Sequence, residues 1–237
     1  MRAMSNTLGL DDDLDPVEAV IGLEKAFALK ISDGEAAACN TVGDIYDLLL
    51  ARFAGRIGEP GACMTSMAFY RLRRSLRVVC PGTDWRPDTA LTPLAGGNVR
   101  AFFVELRRVS GLQMPEPRGT WLGGIGGGLA LLAIVGAAIA AIKGALIVGL
   151  ASAAMLVVGV VLIRLDPGGL PEGCVTLGDL ATKVGALNYG ALAGVGGAVR
   201  PKDLWDAMAE VLSAQSDFPA SAMRRDMLIL QSGAARV

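Results

Sequence analysis

The architecture of this chain is decided by one stretch, Trp121–Ile163, which reads WLGGIGGGLALLAIVGAAIAAIKGALIVGLASAAMLVVGVVLI. Lys143 is its only charged residue. A helix needs about 20 apolar residues to cross a hydrocarbon core of roughly 30 Å, and this run holds about twice that number. We therefore predict a transmembrane helical hairpin with one span over residues 121–142 and the other over residues 145–163.

The predicted turn lies at Lys143 and Gly144, because a charged side chain is costly inside lipid and tolerated at its interface. The flanks of the hairpin are basic, whereas the turn offers a single lysine; the flanking residues are Arg100, Arg107, Arg108, Arg118 and Arg164. Cytoplasmic segments of membrane proteins are enriched in basic residues. The sequence thus predicts a multi-pass protein of the cytoplasmic (inner) membrane with both termini in the cytoplasm. The alternative is a buried hairpin inside a soluble protein.

Composition argues against several kinds of site. The chain has 237 residues and no histidine. Its four cysteines form no CxxC pair; they are Cys39, Cys63, Cys80 and Cys174. Neither a metal site nor a catalytic imidazole is therefore expected. The first 20 residues hold an acidic run and no apolar core, so no cleavable signal peptide is predicted.

A faint repeat at an offset of 135 residues links two parts of the chain. CNTVGD at Cys39–Asp44 returns as CVTLGD at Cys174–Asp179. Other pairs at the same offset are Gly34 with Gly169, Gly55 with Gly190, and Tyr70 with Trp205. Each motif predicts a helix start, because the threonine can cap free amides and the aspartate lies in the first turn, where the helix dipole favours an anion.

The segments around these motifs resemble acyl carrier proteins, which are small helical bundles that carry phosphopantetheine on a serine. DDLDPVEAVIGLEKAFALKISDG (residues 12–34), followed by NTVGDIYDLL (residues 40–49), looks like the later part of such a bundle. The missing first helix and loop are similar to KDLWDAMAEVLSAQSDFPASAMRRDMLIL, Lys202–Leu230. The resemblance implies a circularly permuted module made of residues 1–53 and 200–230.

A second module of the same kind is implied by the middle of the chain. MAFYRLRRSLRVVCPGTDWRPDTALTPL (Met67–Leu94) resembles a first helix and loop, and VRAFFVELRRVSGLQMPEP (Val99–Pro117) resembles the helix and short segment that follow. The aligned apolar residues are Leu106, Leu112 and Met114 with Leu23, Leu29 and Ile31. Its last helix begins only at Thr176, so the hairpin interrupts a module of residues 66–117 and 171–188.

The predicted fold class is therefore mainly α, with two small acyl-carrier-like bundles and a two-helix transmembrane hairpin. Residues 189–199, YGALAGVGGAV, are predicted to form a flexible linker between the modules. If the ends of the chain form one module, Leu204, Trp205 and Met208 should pack against residues near the N-terminus, namely Val17, Val20 and Ile21. That contact is expected within one chain or across a swapped dimer.

Neither module has the serine on which a carrier is loaded. Asp13 stands at that position in the first module and Gly96 in the second. Because loading requires a hydroxyl nucleophile, the resemblance implies two modules without a prosthetic group, and no cofactor is expected. Nearby hydroxyls outside the motif are Ser5, Thr7 and Thr92.

Charge divides the soluble segments into an acidic and a basic part. The acidic residues expected to dock a partner are Asp12, Asp13, Asp15 and Glu18. The basic residues expected to face anionic lipid headgroups are Arg71, Arg73, Arg74 and Arg77. Nucleic acid is not an expected partner, because the net charge is −1 and no nucleic-acid-binding fold is indicated. Gly124 and Gly128 have the small-xxx-small spacing that favours close packing of membrane helices.

The leading prediction is a membrane-anchored, non-enzymatic scaffold or docking protein. Its expected partners are membrane lipid and enzymes or other proteins that recognise acyl-carrier-like surfaces. One alternative is a membrane-tethered acyl or peptidyl carrier loaded at a hydroxyl outside the motif. Another is a small transport or channel subunit. The sequence does not decide the oligomeric state.

Overall fold

The computed structural model describes residues 7–10, 15–92, 97–216 and 218–230. It is mainly helical and contains two long apolar helices, which confirms the fold class at that level. Two short strands are β1 (Thr7–Leu10) and β2 (Leu228–Leu230). The helices are α1 (Asp15–Phe27), α2 (Asp33–Ala38), α3 (Val42–Phe53), α4 (Met64–Val79), α5 (Val99–Ser110), α6 (Trp121–Lys143), α7 (Leu146–Leu165), α8 (Leu177–Leu187), α9 (Tyr189–Gly194) and α10 (Pro201–Ser213).

Contacts divide the chain into two compact units. The helical unit consists of Met1–Thr89, Arg107–Pro115 and Thr176–Val237. The hairpin unit consists of Ala90–Leu106 and Glu116–Val175. The boundary runs through α5, whose first part belongs to the hairpin unit and whose last residues belong to the helical unit.

The two ends of the chain meet inside the helical unit. β1 pairs in parallel with β2, with Thr7 opposite Leu228 and Leu10 opposite Leu230. Helix α1 packs against α10, and α10 also contacts α3. These contacts between N-terminal and C-terminal segments were predicted from the sequence, and in this structure they form within one chain.

The residues that make the α1 contact differ from the prediction. Val17 is 55% exposed and Ile21 is 40% exposed, and the buried apolar face of α1 instead consists of Ala19, Leu23, Ala26 and Phe27. This face is about a third of a turn away from the predicted one, and it carries Phe27, the bulkiest apolar side chain of the helix. Trp205 packs on Tyr46 of α3, with ring centroids 5.3 Å apart.

Both TxGD motifs start helices as predicted. Thr41 accepts a hydrogen bond from the Asp44 amide, and the Asp44 carboxylate accepts one from the Thr41 amide, which is a complete capping box. Thr176 and Asp179 form the same box at the start of α8. Such a cap stabilises a helix by about 1 kcal/mol.

A second set of hydrogen bonds at these helix starts comes from distant chain segments. At α3, the amides of Val42 and Gly43 donate to the carbonyls of Met227 and Arg225, at 2.9 Å in each case. At α8, the equivalent amides of Leu177 and Gly178 donate to the carbonyls of Thr89 and Pro87, at 2.9 and 2.7 Å. The two helix starts are therefore held in the same way by two loops of the chain.

The two loops also resemble each other, and their corresponding residues are 138 positions apart. The helix-start motifs that they bind are 135 positions apart. RRDML at residues 224–228 corresponds to RPDTA at residues 86–90. The contact explains the glycine of each motif. A Cβ atom on Gly43 would lie 2.8 Å from the Arg225 carbonyl oxygen, and one on Gly178 would lie 3.0 Å from that of Pro87.

The predicted flexible linker over residues 189–199 is wrong. Residues 189–194 form α9, in which Tyr189, Leu192 and Ala193 are buried, and Ala198 and Val199 are buried as well. Tyr189 packs against Phe27 and Phe53, with ring centroids 5.4 and 5.8 Å apart. Gly190 and Gly197 let this segment pack closely against neighbouring backbone. A high glycine content is compatible with close packing as well as with a flexible linker, so the composition alone did not decide between them.

The division of the soluble chain into two carrier-like modules stays a prediction. Helix α8 of the predicted second module packs on α4 of the same module, as that model requires. It also contacts α10 and α1, which were assigned to the first module. The described helices α1, α3, α4, α8, α9 and α10 share one compact unit.

Gly190→Ala should destabilise the helical unit by about 3 kcal/mol. The added Cβ would lie 1.8 Å from the carbonyl oxygen of Phe27, and a backbone oxygen cannot move aside as a flexible side chain can. The measurement is thermal or chemical unfolding of the full chain in detergent. The matched control is Gly55→Ala at the corresponding repeat position, where a Cβ has no neighbour within 4 Å and the change should stay within about 0.5 kcal/mol. Equal effects of the two substitutions would contradict this packing.

Candidate functional site

Helices α6 and α7 are long and apolar enough to cross a membrane, with 23 and 20 residues and mean hydropathies of 2.4 and 2.8. Only 17% of the most apolar stretch of α6 and 11% of that of α7 is buried. A hairpin in the core of a soluble protein would be mostly covered, so this exposure favours the membrane alternative. Gly144 ends α6 in the left-handed conformation (φ 64°), at the predicted turn.

The two long apolar helices pack through a line of small residues. The buried positions of α6 are Gly126, Ala133 and Ala140, and those of α7 are Ser152 and Gly159. A Cβ atom on Gly126 would lie 2.8 Å from the Gly159 carbonyl oxygen, so the backbones touch at this point. The seven-residue spacing is typical of helices that pack at a small crossing angle.

The prediction that Gly124 and Gly128 form this close contact is wrong for the hairpin. A Cβ atom on either would have no neighbour within 4 Å, whereas Gly126 faces α7. Two residues along a helix correspond to about 200° of rotation, so Gly124 and Gly128 point away from the partner helix. The small-xxx-small spacing therefore pointed to the right part of α6, but not to the face of α6 that contacts α7.

The base of the hairpin is closed by Asp166, a residue that the sequence analysis did not single out. Its carboxylate accepts hydrogen bonds from the Thr120 hydroxyl, from the Gly168 amide at 3.1 Å and from the Arg100 guanidinium at 3.1 Å. These interactions lower the pKa of the Asp166 carboxyl to about 2, with the Thr120 hydroxyl bond as the largest cause. The available signal was an acidic residue three positions after the end of the long apolar run.

A backbone pair supports the same base. The Arg118 amide donates to the Gly169 carbonyl at 3.0 Å, and the Gly169 amide donates back at 2.7 Å. The segments that enter and leave the hairpin are thus joined just outside the apolar helices. Of the basic residues used to predict orientation, Arg100 is paired with Asp166, whereas Arg164 is exposed.

The predicted lipid-facing arginines are not equivalent. Arg71, Arg74 and Arg77 are exposed at three-residue spacing on α4. Arg73 is half-buried and its guanidinium lies 3.7 Å from the Asp84 carboxylate. The exposed face of α4 therefore combines three arginines with Tyr70 and Val78. Its contact with lipid stays a prediction.

The positions that concern carrier chemistry are only partly covered by the structure. Asp12, Asp13 and Gly96, together with Ser5, lie outside the described residues, and so does the side chain of Asp15. Glu18 is exposed on α1. The Thr7 hydroxyl accepts a hydrogen bond from the Gly9 amide, and Thr92 is exposed.

The helical unit contains a half-open cavity of about 410 Å³ that the sequence analysis missed. It is bordered by the first residues of α4 and of α10, one face of α8, the start of α9 and the turn at Ala220 and Ser221. Its charged lining groups are Arg200, Asp203, Asp206 and Glu210. Lys183 binds Glu210 and Lys202 binds Asp206, whereas Asp203 has no ion pair among the described residues.

Tyr189 lines this cavity and is only 2% exposed. Within the described part of the chain, its hydroxyl makes no hydrogen bond of normal geometry. Burial raises the pKa of Tyr189 to about 12, an increase that the nearby Arg200 backbone amide partly offsets and the Asp203 carboxylate reinforces. At the mouth lies the exposed Cys63, whose thiol pKa is lowered chiefly by a hydrogen bond from the Ser66 amide.

Groups of three or more histidine, cysteine, aspartate or glutamate residues that could hold a metal ion are not found within the described part of the chain. The carboxylates at the cavity are instead partnered mostly by lysines. The chemistry that the cavity offers is therefore hydrogen bonding, charge and a thiol.

Asp166→Asn should weaken the hairpin base and lower the midpoint of thermal unfolding in detergent by about 5 °C, because the asparagine cannot balance Arg100. The folded-state pKa lies below the ordinary value of 3.8, so the contribution of the carboxylate is present above that value and is lost as the pH falls through about 2. The difference between the two proteins should be constant from about pH 5 to pH 8 and shrink below about pH 4.

The control for this substitution is Glu172→Gln in the same unit. Glu172 is exposed and only 3.9 Å from Arg118, so its replacement should leave the midpoint nearly unchanged. A loss for Glu172→Gln as large as for Asp166→Asn would show that general charge, rather than the Asp166 contacts, stabilises the base.

The chain matches no protein-family model, no curated protein and no solved structure. Its function is therefore inferred from its own residues and their contacts.

Proposed function

We propose that this protein is a membrane-anchored, non-enzymatic docking protein that holds its helical unit at the cytoplasmic face of the cytoplasmic membrane. The observation that carries the proposal is the exposed apolar surface of α6 and α7 over 23 and 20 residues. In water this surface would be an aggregation hazard, whereas in lipid it is the expected outer surface of a span. The backbones of both helices are hydrogen-bonded internally, as a span requires.

The proposed role of the helical unit is to present a surface to other proteins. Its resemblance to acyl carrier proteins suggests partners that recognise carrier-like surfaces, and the exposed Glu18 on α1 agrees with an acidic docking face. The exposed arginines of α4 supply a separate basic face, for which anionic lipid headgroups are the proposed partner. Such charge pairing would set orientation and encounter rate more than affinity.

A second candidate function is a tethered carrier that is loaded at a hydroxyl outside the serine motif. The observation that favours it is the exposed Thr92, which lies four residues before Gly96 in the sequence. Loading would transfer phosphopantetheine from coenzyme A to that oxygen: the hydroxyl loses its proton and forms a phosphodiester, the pyrophosphate bond of coenzyme A breaks, and adenosine 3′,5′-bisphosphate leaves. The docking role needs no such modification.

The anchor can be tested by labelling an introduced cysteine near the turn. Lys143→Cys, at the exposed turn between α6 and α7, should react with a membrane-impermeant maleimide added to the outside of intact spheroplasts. The native Cys63 is the internal control and should react only after the membrane is opened. Labelling of both cysteines from the same side, or release of the protein by alkaline carbonate, would contradict the proposed topology.

The choice between docking protein and carrier is tested with a phosphopantetheinyl transferase. Incubation of the full chain with the enzyme and coenzyme A should leave its intact mass unchanged. A stable adduct of the prosthetic group that disappears in Thr92→Val, but persists in the control Thr182→Val on α8, would establish the carrier function instead. Both threonines are exposed, so general accessibility does not distinguish them.

A further inference from the structure

Residues 223–230, called the strap from here on, are held on the helical unit in the way that a protein holds an extended peptide. The amides of Val42 and Gly43 at the start of α3 donate to strap carbonyls, and the Ile229 amide of the strap donates to the Asn40 carbonyl at 3.1 Å. The last part of the strap is β2, which pairs with β1. All these partners are distant from the strap in the chain, so the contacts themselves do not require one molecule.

The side chains of the strap give the contact its specificity. The buried strap side chains are Met223, Met227 and Ile229. Arg225 donates to both oxygens of the Asp47 carboxylate at 2.6 Å, and its guanidinium lies over the Tyr46 ring, 5.0 Å from the centroid. A bidentate arginine contact fixes the register of a segment as well as attracting it. The surface formed by β1, residues 40–43, Tyr46 and Asp47 is called the α3 groove.

The related helix start at α8 does not offer the same partners to Arg225. At the offset of 135 residues, the positions of its ring and carboxylate partners are held by Ala181 and Thr182. The loop that binds the α8 start has Pro87 at the position whose carbonyl accepts from the glycine amide, where the strap has Arg225. The side chains of the strap are therefore matched to the α3 groove.

The connection between α10 and the strap lies outside the core. It consists of residues 214–222, and within the ranges 214–216 and 218–222 that the structure describes, no residue is buried. Pro219 already has an extended backbone, with φ −69° and ψ 136°. An extended chain of about nine residues can span roughly 30 Å. A new path for this connection would open the short turn at Ala220–Ala222 but would expose little apolar surface.

We propose that the strap of one copy binds the α3 groove of a second copy, so that two chains are joined by reciprocal exchange of residues 223–230. In the exchanged pair, Arg225 of each copy binds Asp47 of the other copy. Exchange of an identical element preserves its contacts and alters only the connection, which makes it a low-cost route to a dimer. The exchange goes beyond the docking role proposed above, and either can fail without the other.

The test uses full-length chains with two different affinity tags, co-expressed in pairs and extracted in mild detergent at low ionic strength, where exposed charges are least screened. Capture through one tag and detection of the other measures the joined pairs. The variants are Asp47→Arg, Arg225→Asp and the combination of both in one chain. The combined variant has opposite charges within its own strap and groove, so its unfolding midpoint should lie within about 2 °C of the native value.

Two pairings separate strap exchange from any other association. Asp47→Arg paired with Arg225→Asp has like charges within each chain and opposite charges after exchange, so its capture should exceed that of two native copies about tenfold. A native copy paired with the combined variant has opposite charges within each chain and like charges after exchange. Its capture should fall about tenfold below that of two native copies.

The matched control is Lys202→Asp paired with Asp206→Lys, which reverses an exposed ion pair within α10. Strap exchange cannot complete this pair between chains, so its capture should stay within about twofold of that of two native copies. If the combined variant unfolds more than about 5 °C below the native chain, the same pairings are made with Asp47→Lys and Arg225→Glu.

Two results would overturn the exchange. One is capture of two native copies that is no greater than capture of a native copy with the combined variant. The other is capture of the control pair that rises as much as that of Asp47→Arg with Arg225→Asp, because general charge attraction would then explain both.

Discussion

The helical unit depends on how the first amides of two helices are satisfied. A helix cannot bond its own first amides, and at α3 and α8 the capping threonine satisfies only one of them. The next ones are bound by carbonyls of segments 225–227 and 87–89. This arrangement ties each helix start to a loop far away in the chain, and at α3 it joins the two ends of the protein. Glycine is needed at both contacts, because the loop carbonyl occupies the space of a Cβ.

The hairpin obeys a different constraint, which is the absence of charged residues over 121–142 and 146–163. Small residues let the backbones of α6 and α7 touch, while the larger apolar side chains point outward. Polar interactions are concentrated at the base, where Asp166 binds Thr120 and Arg100. A buried carboxylate is tolerated there because hydrogen bonds and a counter-charge surround it. The apolar helices and their polar closure thus form one local structure between residues 100 and 169.

The cavity beside Tyr189 lies within the helical unit. Its wall is built by helices from both halves of the chain, since α4, α8, α9 and α10 all contribute to it. The close packing of α9 on the end of α1, which Gly190 permits, holds the tyrosine ring on its aromatic neighbours. These contacts define the position of the ring.

Much of the architecture could be predicted because its signals are local. The hairpin follows from a run of apolar residues with one lysine, and the structure places the helices within three residues of the predicted boundaries. The TxGD helix starts follow from the chemistry of four adjacent residues. The meeting of the chain ends was predicted from a resemblance and is seen as the contact of α1 with α10. The carrier-like character of the modules remains a prediction.

Other features were decided by tertiary structure alone. The sequence by itself determined two apolar spans, their turn and the capped helix starts, because each depends on neighbouring residues. Which face of α1 is buried, which glycines touch another backbone, and why much of the segment 189–199 is buried depend on residues that are distant in the chain. The same is true of Asp166 and Tyr189, whose contacts come from segments that meet only on folding. Local periodicity limits the choices for such positions, and the packing of the remaining chain selects among them.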